Sequence, residues 1–431
     1  MALVRGMFGD RYGVGGENHR SRQKPETSPA MARRESPAAG PGSRALIVDV
    51  IRSAVTISRG ELAQLTGLTQ PSISNIVRDL IADGIIHEIG STDSTLGRRR
   101  KLIAINPGSR FGIGFHLGPE TLTCIAVDLT GGVVGREVVP RPPAEPWSAD
   151  RLADRFDDFT AGLDLPRGRI EGLAIVAPAP APGSGERGAE PAGVRAELAE
   201  RIGVPVLVEN DAAAAALGEF WSRRVSREQA FGCVYLSSGI GAGFVFGGAL
   251  FRGVSFGAGE LGHVSIHHEG RSCPCGNRGC VEQYASTRAT VSAARENAAL
   301  RARLPLDGSE SDAYDAIARA AVSGDPAAYE ALDQAAAWLS VAATSVVNLL
   351  DLGRLVLTGP GVALAGSIFA RRLRNHLGDT ARSRRRHTVS VELSAQPRDA
   401  AGIGAAVLVV QASVAPGHTP GQALPYLSAI G

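Results

Sequence analysis

Apolar positions begin to recur with a helical period at residue 44. Leu46, Ile47, Val50, Ile51 and Ala54 predict a first helix from Arg44. Ser58 with Glu61 three residues on is a capping box, and Ile57 to Glu61 opens a second helix with Leu62, Ala63 and Leu65 on its apolar side. Gly67 makes a turn, Thr69 caps a third helix, and Pro71 sits in its first turn, where a missing N–H costs nothing. Ile73, Ile76, Val77, Leu80 and Ile81 form the buried stripe of that helix. Gln70, Ser72, Asn75 and Arg78 fall off the stripe. Two short apolar runs, Ile85 to Ile89 and Lys101 to Ile105, flank a polar tip ending in Arg98, Arg99 and Arg100. This is the layout of a winged helix-turn-helix over 44–108, with the outer face of the third helix free to enter a major groove. Gln and Asn can read adenine edges and Arg can read guanine, while the three wing arginines would reach phosphates or a narrow minor groove.

From Phe111 the pattern becomes α/β. Ile113–Leu117 and Thr121–Val127 read as a strand hairpin, Gly172–Val176 and Val204–Val208 as buried strands, and Ala212–Trp221 as a helix. Gly232–Leu236 and Gly243–Phe246 form a strand pair around glycines, alanine-rich helices fill about 286–350, and strands follow at Arg354–Thr358 and Thr388–Leu393. A final helix covers Ala400–Ala412. Residues 1–43 are rich in Gly, Pro, Ser and Arg without periodicity and read as a disordered leader, or as untranslated sequence if the start is Met31. Residues 416–431 read as a tail.

The net charge of +2 hides an asymmetry: residues 1–110 carry 16 Lys+Arg against 10 Asp+Glu, and the rest is mildly acidic. A basic head of this kind suits a polyanion, which changes the helix-turn-helix reading from possible to expected. No stretch of about 18 apolar residues predicts a membrane span, and the first residues lack the apolar segment of a secretory signal. Five cysteines, odd in number and clustered, suit a reducing cytoplasm.

The densest chemistry lies in Gly259–Glu282, G-E-L-G-H-V-S-I-H-H-E-G-R-S-C-P-C-G-N-R-G-C-V-E. Cys273, Cys275 and Cys280 fall within eight residues, with His263 ten residues upstream. Cys-Pro-Cys is poorly disposed for a disulfide, whereas three thiolates and an imidazole make a closed tetrahedral zinc site. The alternative is three reduced thiols in a Gly-rich loop. Cys124 and Cys233 lie in apolar strands and read as core residues.

Taken in order, these pieces from Arg44 to Ala412 resemble the repressor–ORF–sugar kinase (ROK) family. Its members carry E-x-G-H followed by C-x-C-G-x-x-G-C-x-E, matched here by Glu260, Gly262, His263, Cys273, Cys275, Gly276, Gly279, Cys280 and Glu282. The resemblance implies a two-lobed actin-like ATPase (ribonuclease H-like) fold behind the winged helix. The first lobe would span 109–230, the second, with the zinc loop, 231–399, and a C-terminal helix, 400–415, would return to the first. It implies His263, Cys273, Cys275 and Cys280 as ligands of one structural zinc per chain, His263 being preferred over His267 and His268 for its place in E-x-G-H. Glu260, His263 and Glu282 would contact a sugar, as would Asn210 of V-E-N-D-A. Asp211 would hold the place of the general base of the family's kinases. The kinases open with Asp-x-Gly-Gly-Thr, which serves the ATP phosphates and metal; here the aligned residues are His116, Leu117, Gly118, Pro119 and Glu120. A carboxylate facing a triphosphate repels it, so no ATP binding and no catalysis are expected, and Asp211 is vestigial. The second phosphate turn is partly kept as Ser237–Gly243, whose glycines serve the hairpin. Family members also place an Asn and a Trp between the strands at 172 and 204, where this chain has a Pro/Gly/Ala run, Ala177–Arg195, that implies a more open or altered sugar pocket. The expectation is a cytoplasmic, dimeric or tetrameric DNA-binding regulator, a repressor, with a double-stranded operator and a sugar or sugar-derivative effector. The alternative is an ATP-dependent sugar kinase carrying a DNA-binding head.

Overall fold

A computed structural model describes residues 41–92, 100–140, 147–178, 191–226 and 229–414. The first forty residues and the last seventeen, and with them the leader and tail expectations, lie outside that range.

The head is three helices and a small sheet. Helices α1 (Pro41–Ala54), α2 (Arg59–Thr66) and α3 (Gln70–Ala82) surround Ile47, Ile51, Leu62, Ile73, Val77 and Leu80, all fully buried. The first helix starts at Pro41, inside the stretch read as leader. The Ser58 capping box forms: the Ser58 hydroxyl accepts from the Glu61 N–H, and the Glu61 carboxylate accepts from the Ser58 N–H at 2.9 Å. Ile57 and Ser58, read as the opening of that helix, are instead a two-residue strand β1 (Ile57–Ser58). It pairs antiparallel with β3 (Arg100–Ile105), which also pairs with β2 (Ile86–Thr92) to make the wing. An N-cap residue has extended backbone, so the same Ser58 both caps and pairs.

The rest is two sheets of one design. In the first, the antiparallel meander β4 (Phe111–Leu117), β5 (Thr121–Asp128), β6 (Val133–Pro140) is extended on the β4 side by parallel strands β7 (Ile170–Ala177) and β8 (Val206–Asn210), in the order β6-β5-β4-β7-β8. In the second, β9 (Phe231–Leu236), β10 (Ile240–Phe246) and β11 (Ala249–Leu250) are extended by β12 (Arg354–Thr358) and β13 (Ser390–Leu393), in the order β11-β10-β9-β12-β13. Strand β6 escapes the periodicity argument because, at the sheet edge, none of its residues is buried. Helices α4 (Ala149–Gly162) and α5 (Pro191–Ile202) cover the first sheet around Phe156, Phe159 and Leu198. The second of these begins inside the Pro/Gly/Ala run; proline at a helix start costs nothing, so the run ends five residues earlier than its composition implies.

Helix α6 (Asp211–Ser222) and helix α13 (Ala400–Val414) cross between the sheets. The crossing is backbone to backbone: a methyl group on Gly404 would overlap the Ala214 carbonyl oxygen. On its other side α6 packs against β10, where a Cβ on Gly241 or Gly243 would overlap Ala212 or Ala216. These glycines are therefore required by helix packing, not only by the hairpin. The same contacts put α6 on the second sheet, although the boundary at residue 230 assigns it to the first lobe. Short helices α7 (Glu282–Ala285), α8 (Thr287–Glu296) and α9 (Ala298–Arg301), then α10 (Glu310–Val322), the long α11 (Pro326–Leu350) and α12 (Gly366–Thr380) cover the outer face of the second sheet in one apolar cluster. Among the described residues no helix is long and apolar enough to cross a membrane.

Candidate functional site

On α3, Gln70, Asn75 and Arg78 are exposed, as is Ser74, which the sequence reading passed over. Ser72 is half-buried, its hydroxyl 2.9 Å from that of the capping Thr69, so its first partner is the helix cap. Arg100 begins β3, paired with Thr92; Arg98 and Arg99 lie outside the described residues.

Two arginines are among the ties that fasten the head to the body. Arg110 ion-pairs with Glu171 at 2.7 Å, and its guanidinium also donates to the Asp83 carbonyl. Burial pushes the Glu171 carboxyl above its ordinary range, with Arg110 opposing. The second tie is Arg52, 4% exposed despite its charge. Its guanidinium bonds Asp49 at 2.7 Å, donates to the carbonyls of Trp221 and Val225, and lies 5.3 and 5.0 Å from the ring centroids of Phe220 and Trp221. A cation on the Trp221 carbonyl, in the last turn of α6, suits the negative end of that helix. Sequence reasoning missed Arg52, because one Arg in the last turn of an amphipathic helix reads as an ordinary solvent-facing cap.

The opposite end of α6 opens into a cleft of about 1280 Å³ between the lobes. Asn210, Asp211, Glu260, His263 and Glu282, 72 residues apart in the chain at their extremes, all line it. The Asn210 side-chain oxygen caps α6, accepting from Ala212 and Ala213 N–H at 3.0 and 3.1 Å, which leaves its amide NH₂ for a ligand. Asp211 is buried at the positive helix end, one oxygen accepting from the Ala212 N–H at 2.7 Å. Its other oxygen is 3.8 Å from His116 Nε2, a buried nitrogen with no hydrogen-bond partner among the described residues. The imidazole thus stands beside the carboxylate at the position where the resemblance leads one to expect an acid. In the same hairpin the Gly118 N–H donates to the Thr121 carbonyl, and Pro119 has none to offer.

Glu282 holds the cleft floor together: one carboxylate oxygen accepts from the Ile240 N–H at 3.0 Å, joining the start of α7 to the Ser237–Gly239 turn. Two further residues were not legible beforehand. Trp147 also lines the cleft, with a buried indole N–H lacking a partner among the described residues, so an aromatic ring reaches this space from outside the Ala177–Arg195 run. Glu209 ion-pairs at 2.7 Å with Arg252, 43 residues away, and its other oxygen accepts from the Asn210 N–H at 3.0 Å, fixing the strand end that presents Asn210.

Beside the cleft, one ligand atom from each of His263, Cys273, Cys275 and Cys280 lies within 4.8 Å of all the others. His263 Nδ1 is 3.6 Å from Cys273 Sγ, and the Cys275 and Cys280 sulfurs are 3.7 Å apart. A tetrahedral zinc with bonds of about 2.3 Å to sulfur requires S···S edges of about 3.8 Å, so the cluster fits that ion. The loop owes its closure to Gly279, at φ 70°, where any Cβ would overlap the His267 carbonyl. Gln283 Nε2, 3.5 Å from Cys273 Sγ, is the outer partner of that thiolate. Hydrogen bonding from the Asn277 backbone pulls the Cys275 thiol below its ordinary value, while burial and the adjoining sulfurs push Cys280 up to about 12. A cation removes that conflict. His267 and His268 are not in the cluster. The other His263 nitrogen, Nε2, is 3.9 Å from Glu260, so one imidazole joins the thiolates to the cleft. Cys124 and Cys233 are buried in β5 and β9, as read from sequence.

A family model described as the ROK family matches residues 112–412. The chain is 30% identical over 256 residues to the xylose repressor of Bacillus subtilis (strain 168), an alignment covering 57% of this chain and 66% of that one, just under two thirds. It is 27% identical over 313 residues to the DNA-binding transcriptional dual regulator NagC of Escherichia coli (strain K12), covering 70% and 76%. Among solved structures it is similar to a ROK family transcriptional regulator described as a homolog of the E. coli MLC protein, at 25% identity and TM-score 0.67, covering 86% of this chain and 96% of that one.

Proposed function

The chain belongs to the ROK family, and on that premise we propose that it is a sequence-specific DNA-binding transcriptional regulator, a repressor, whose operator affinity responds to a sugar or sugar derivative bound between the lobes. The observation that carries this reading is helix α6. Its first residue, Asp211, lines the cleft with Asn210, and the Trp221 carbonyl in its last turn, with that of Val225 just beyond, holds Arg52 of the head. A ligand that favours one lobe arrangement thereby favours one head pose, without touching the head.

In this reading α3 enters the major groove with Gln70, Asn75 and Arg78 at base edges, Ser72 stays mainly a cap, and Arg98, Arg99 and Arg100 meet phosphates. Two heads on a two-fold operator require a homodimer or homotetramer, acting in the cytoplasm. Asn210, Asp211, Glu260, His263 and Glu282 bind sugar hydroxyls. His263, Cys273, Cys275 and Cys280 hold a structural zinc, which supplies folding energy to the loop rather than chemistry. Catalysis is opposed by His116, Pro119 and Glu120 where a phosphate-binding turn is needed. The kinase alternative is favoured by Asp211 alone; sugar-dependent ADP release that Asp211→Asn abolishes would establish it.

The test is binding of the full chain to duplex DNA from its own upstream region at low salt, with D-xylose, D-glucose, N-acetylglucosamine and their phosphates as probes. One of them should lower operator affinity; a complete switch demands a differential affinity of about 10⁴, about 5.5 kcal/mol. The same compound at 100 times its Kd should raise stability by about 2.7 kcal/mol. A chain that ignores all such duplexes is not a repressor.

A further inference from the structure

The acidic body carries one concentrated basic segment. Residues 371–387 hold seven arginines and one acid. The three on α12 are engaged: Arg371 with the Tyr329 hydroxyl, Arg372 with Asp333, and Arg374 with the Val391 carbonyl. The four in the turn that follows are different. Arg382, Arg384, Arg385 and Arg386 are exposed, and among the described residues the Arg384 guanidinium donates only to the nearby Ala381 carbonyl. The guanidinium groups of the other three meet no hydrogen-bond or ion-pair partner among the described residues. The turn itself is well held. Ala381 and Ser383 are buried, the Arg382 N–H donates to Asn348 Oδ1 at 2.7 Å, and the Arg386 N–H donates to the Ser383 carbonyl at 2.7 Å.

Exposed arginines are commonly only solvated; the placement of these is what separates them. Strands β9, β12 and β13 run parallel and start together, Arg354 pairing with both Phe231 and Ser390. They finish at the cleft, where Ser237–Gly239 follow β9. The starting end is where α6 finishes: the Phe220 ring meets that of Phe231, the first residue of β9, with centroids 5.8 Å apart, and Arg52 of the head binds Trp221 and Val225 beside it. Arg386 precedes Ser390 by four residues, at most roughly 13 Å of extended chain. The arginine turn therefore lies at the head end of the second lobe, away from the cleft.

We propose that Arg382–Arg386 is a second DNA-contacting surface, which engages backbone phosphates of the duplex that the head reads, beside the base-contacted half-site and without regard to sequence. Duplex DNA presents a charge every 1.7 Å or so of axis, so four guanidinium groups on one turn can each find a phosphate. The inference rests on the DNA-binding reading above.

The experiment compares the full chain with a variant carrying Arg382→Gln, Arg384→Gln, Arg385→Gln and Arg386→Gln, and with the four-Lys counterpart. Each is titrated, over a range of salt concentrations, against an operator duplex trimmed to its half-sites and against one extended by about two turns, roughly 20 bp, on each side. On the extended duplex the Gln variant should lose about 0.9 of salt slope per abandoned phosphate, about 2 to 4 in all, and at least about tenfold in affinity. The trimmed duplex should show no difference, and the Lys variant should keep the native slope. Should the quadruple variant fold poorly, Arg385→Gln and Arg386→Gln singly, whose side chains bond nothing among the described residues, should each flatten the slope by about 0.9. Equal slopes for the Gln variant and the unaltered chain on the extended duplex overturn the proposal and leave the segment to an acidic protein partner. Failure of the unaltered chain to bind either duplex overturns the regulator reading and this inference with it.

Discussion

His263 and Glu282 each serve two structures at once. His263 turns Nδ1 to the cysteines and Nε2 toward Glu260, and Glu282 ties the end of the cysteine loop to the Ile240 N–H. Loss of a metal held by the loop would therefore be felt in the cleft. The full chain should contain about one zinc, and Cys275→Ala or chelation should remove it, with a fall in melting temperature and loss of any sugar-induced stabilisation. Metal analysis and thermal denaturation check this; a metal-free chain melting unchanged would contradict it. At this scale the cysteine loop was legible because its ligands are local and their spacing is the signal. Glu209–Arg252 and His116–Asp211 were not, since their partners lie 43 and 95 residues away and neither residue type announces a partner. Trp147 was missed for a similar reason: a lone aromatic before a helix looks like any other core residue.

At the scale of elements, α6 shows how little periodicity says about role. Its alanine-rich stretch was readable as a helix, and Asn210 as its cap. That it lies wedged between α13 and β10 follows from glycines on three different elements meeting, which no local pattern displays. The helix-turn-helix was legible almost whole, as its capping box, turn glycine and apolar stripe are all short-range. Strand β6 and helices α4 and α5 were passed over, the first for want of buried positions and the last because the first turn of α5 lies inside the Pro/Gly/Ala run. The tie between head and body gives a test at this level. Arg52→Met keeps the apolar stem but deletes the bonds to Trp221 and Val225, each hydrogen bond to a charged group being worth about 1.5–3 kcal/mol. The head should still bind operator, while the effector should no longer alter that binding. Fluorescence anisotropy with and without the active sugar measures it, and an unchanged sugar response would remove Arg52 from the coupling.

On the scale of the whole molecule, both lobes keep neutral acids in their cores. Burial pushes the Cys124 thiol up to about 12, holds the Cys233 thiol well above its ordinary range, and does the same for the Tyr235 and Tyr314 phenols. Each of these groups gives up its proton more readily in the unfolded chain. Their contribution to stability is thus complete below the ordinary thiol and phenol values, about 8.5 and about 10, and is lost as pH rises past them. The melting temperature should fall progressively above about pH 9, and Cys233→Ala should reduce the steepness of that fall. A melting temperature that stays level to about pH 11 would contradict this account.

Helix α6 has a consequence beyond stability. The residues that face the cleft are at its first turn, those that hold the head are at its last, and the alanines and glycine between them touch neither. On the proposed reading, sensor and actuator share a rod but no side chain. Substitutions around Asn210 can exchange one small molecule for another while the output at Trp221 stays as it is, so a single scaffold of this kind can be retuned from one nutrient to the next without rebuilding its grip on DNA.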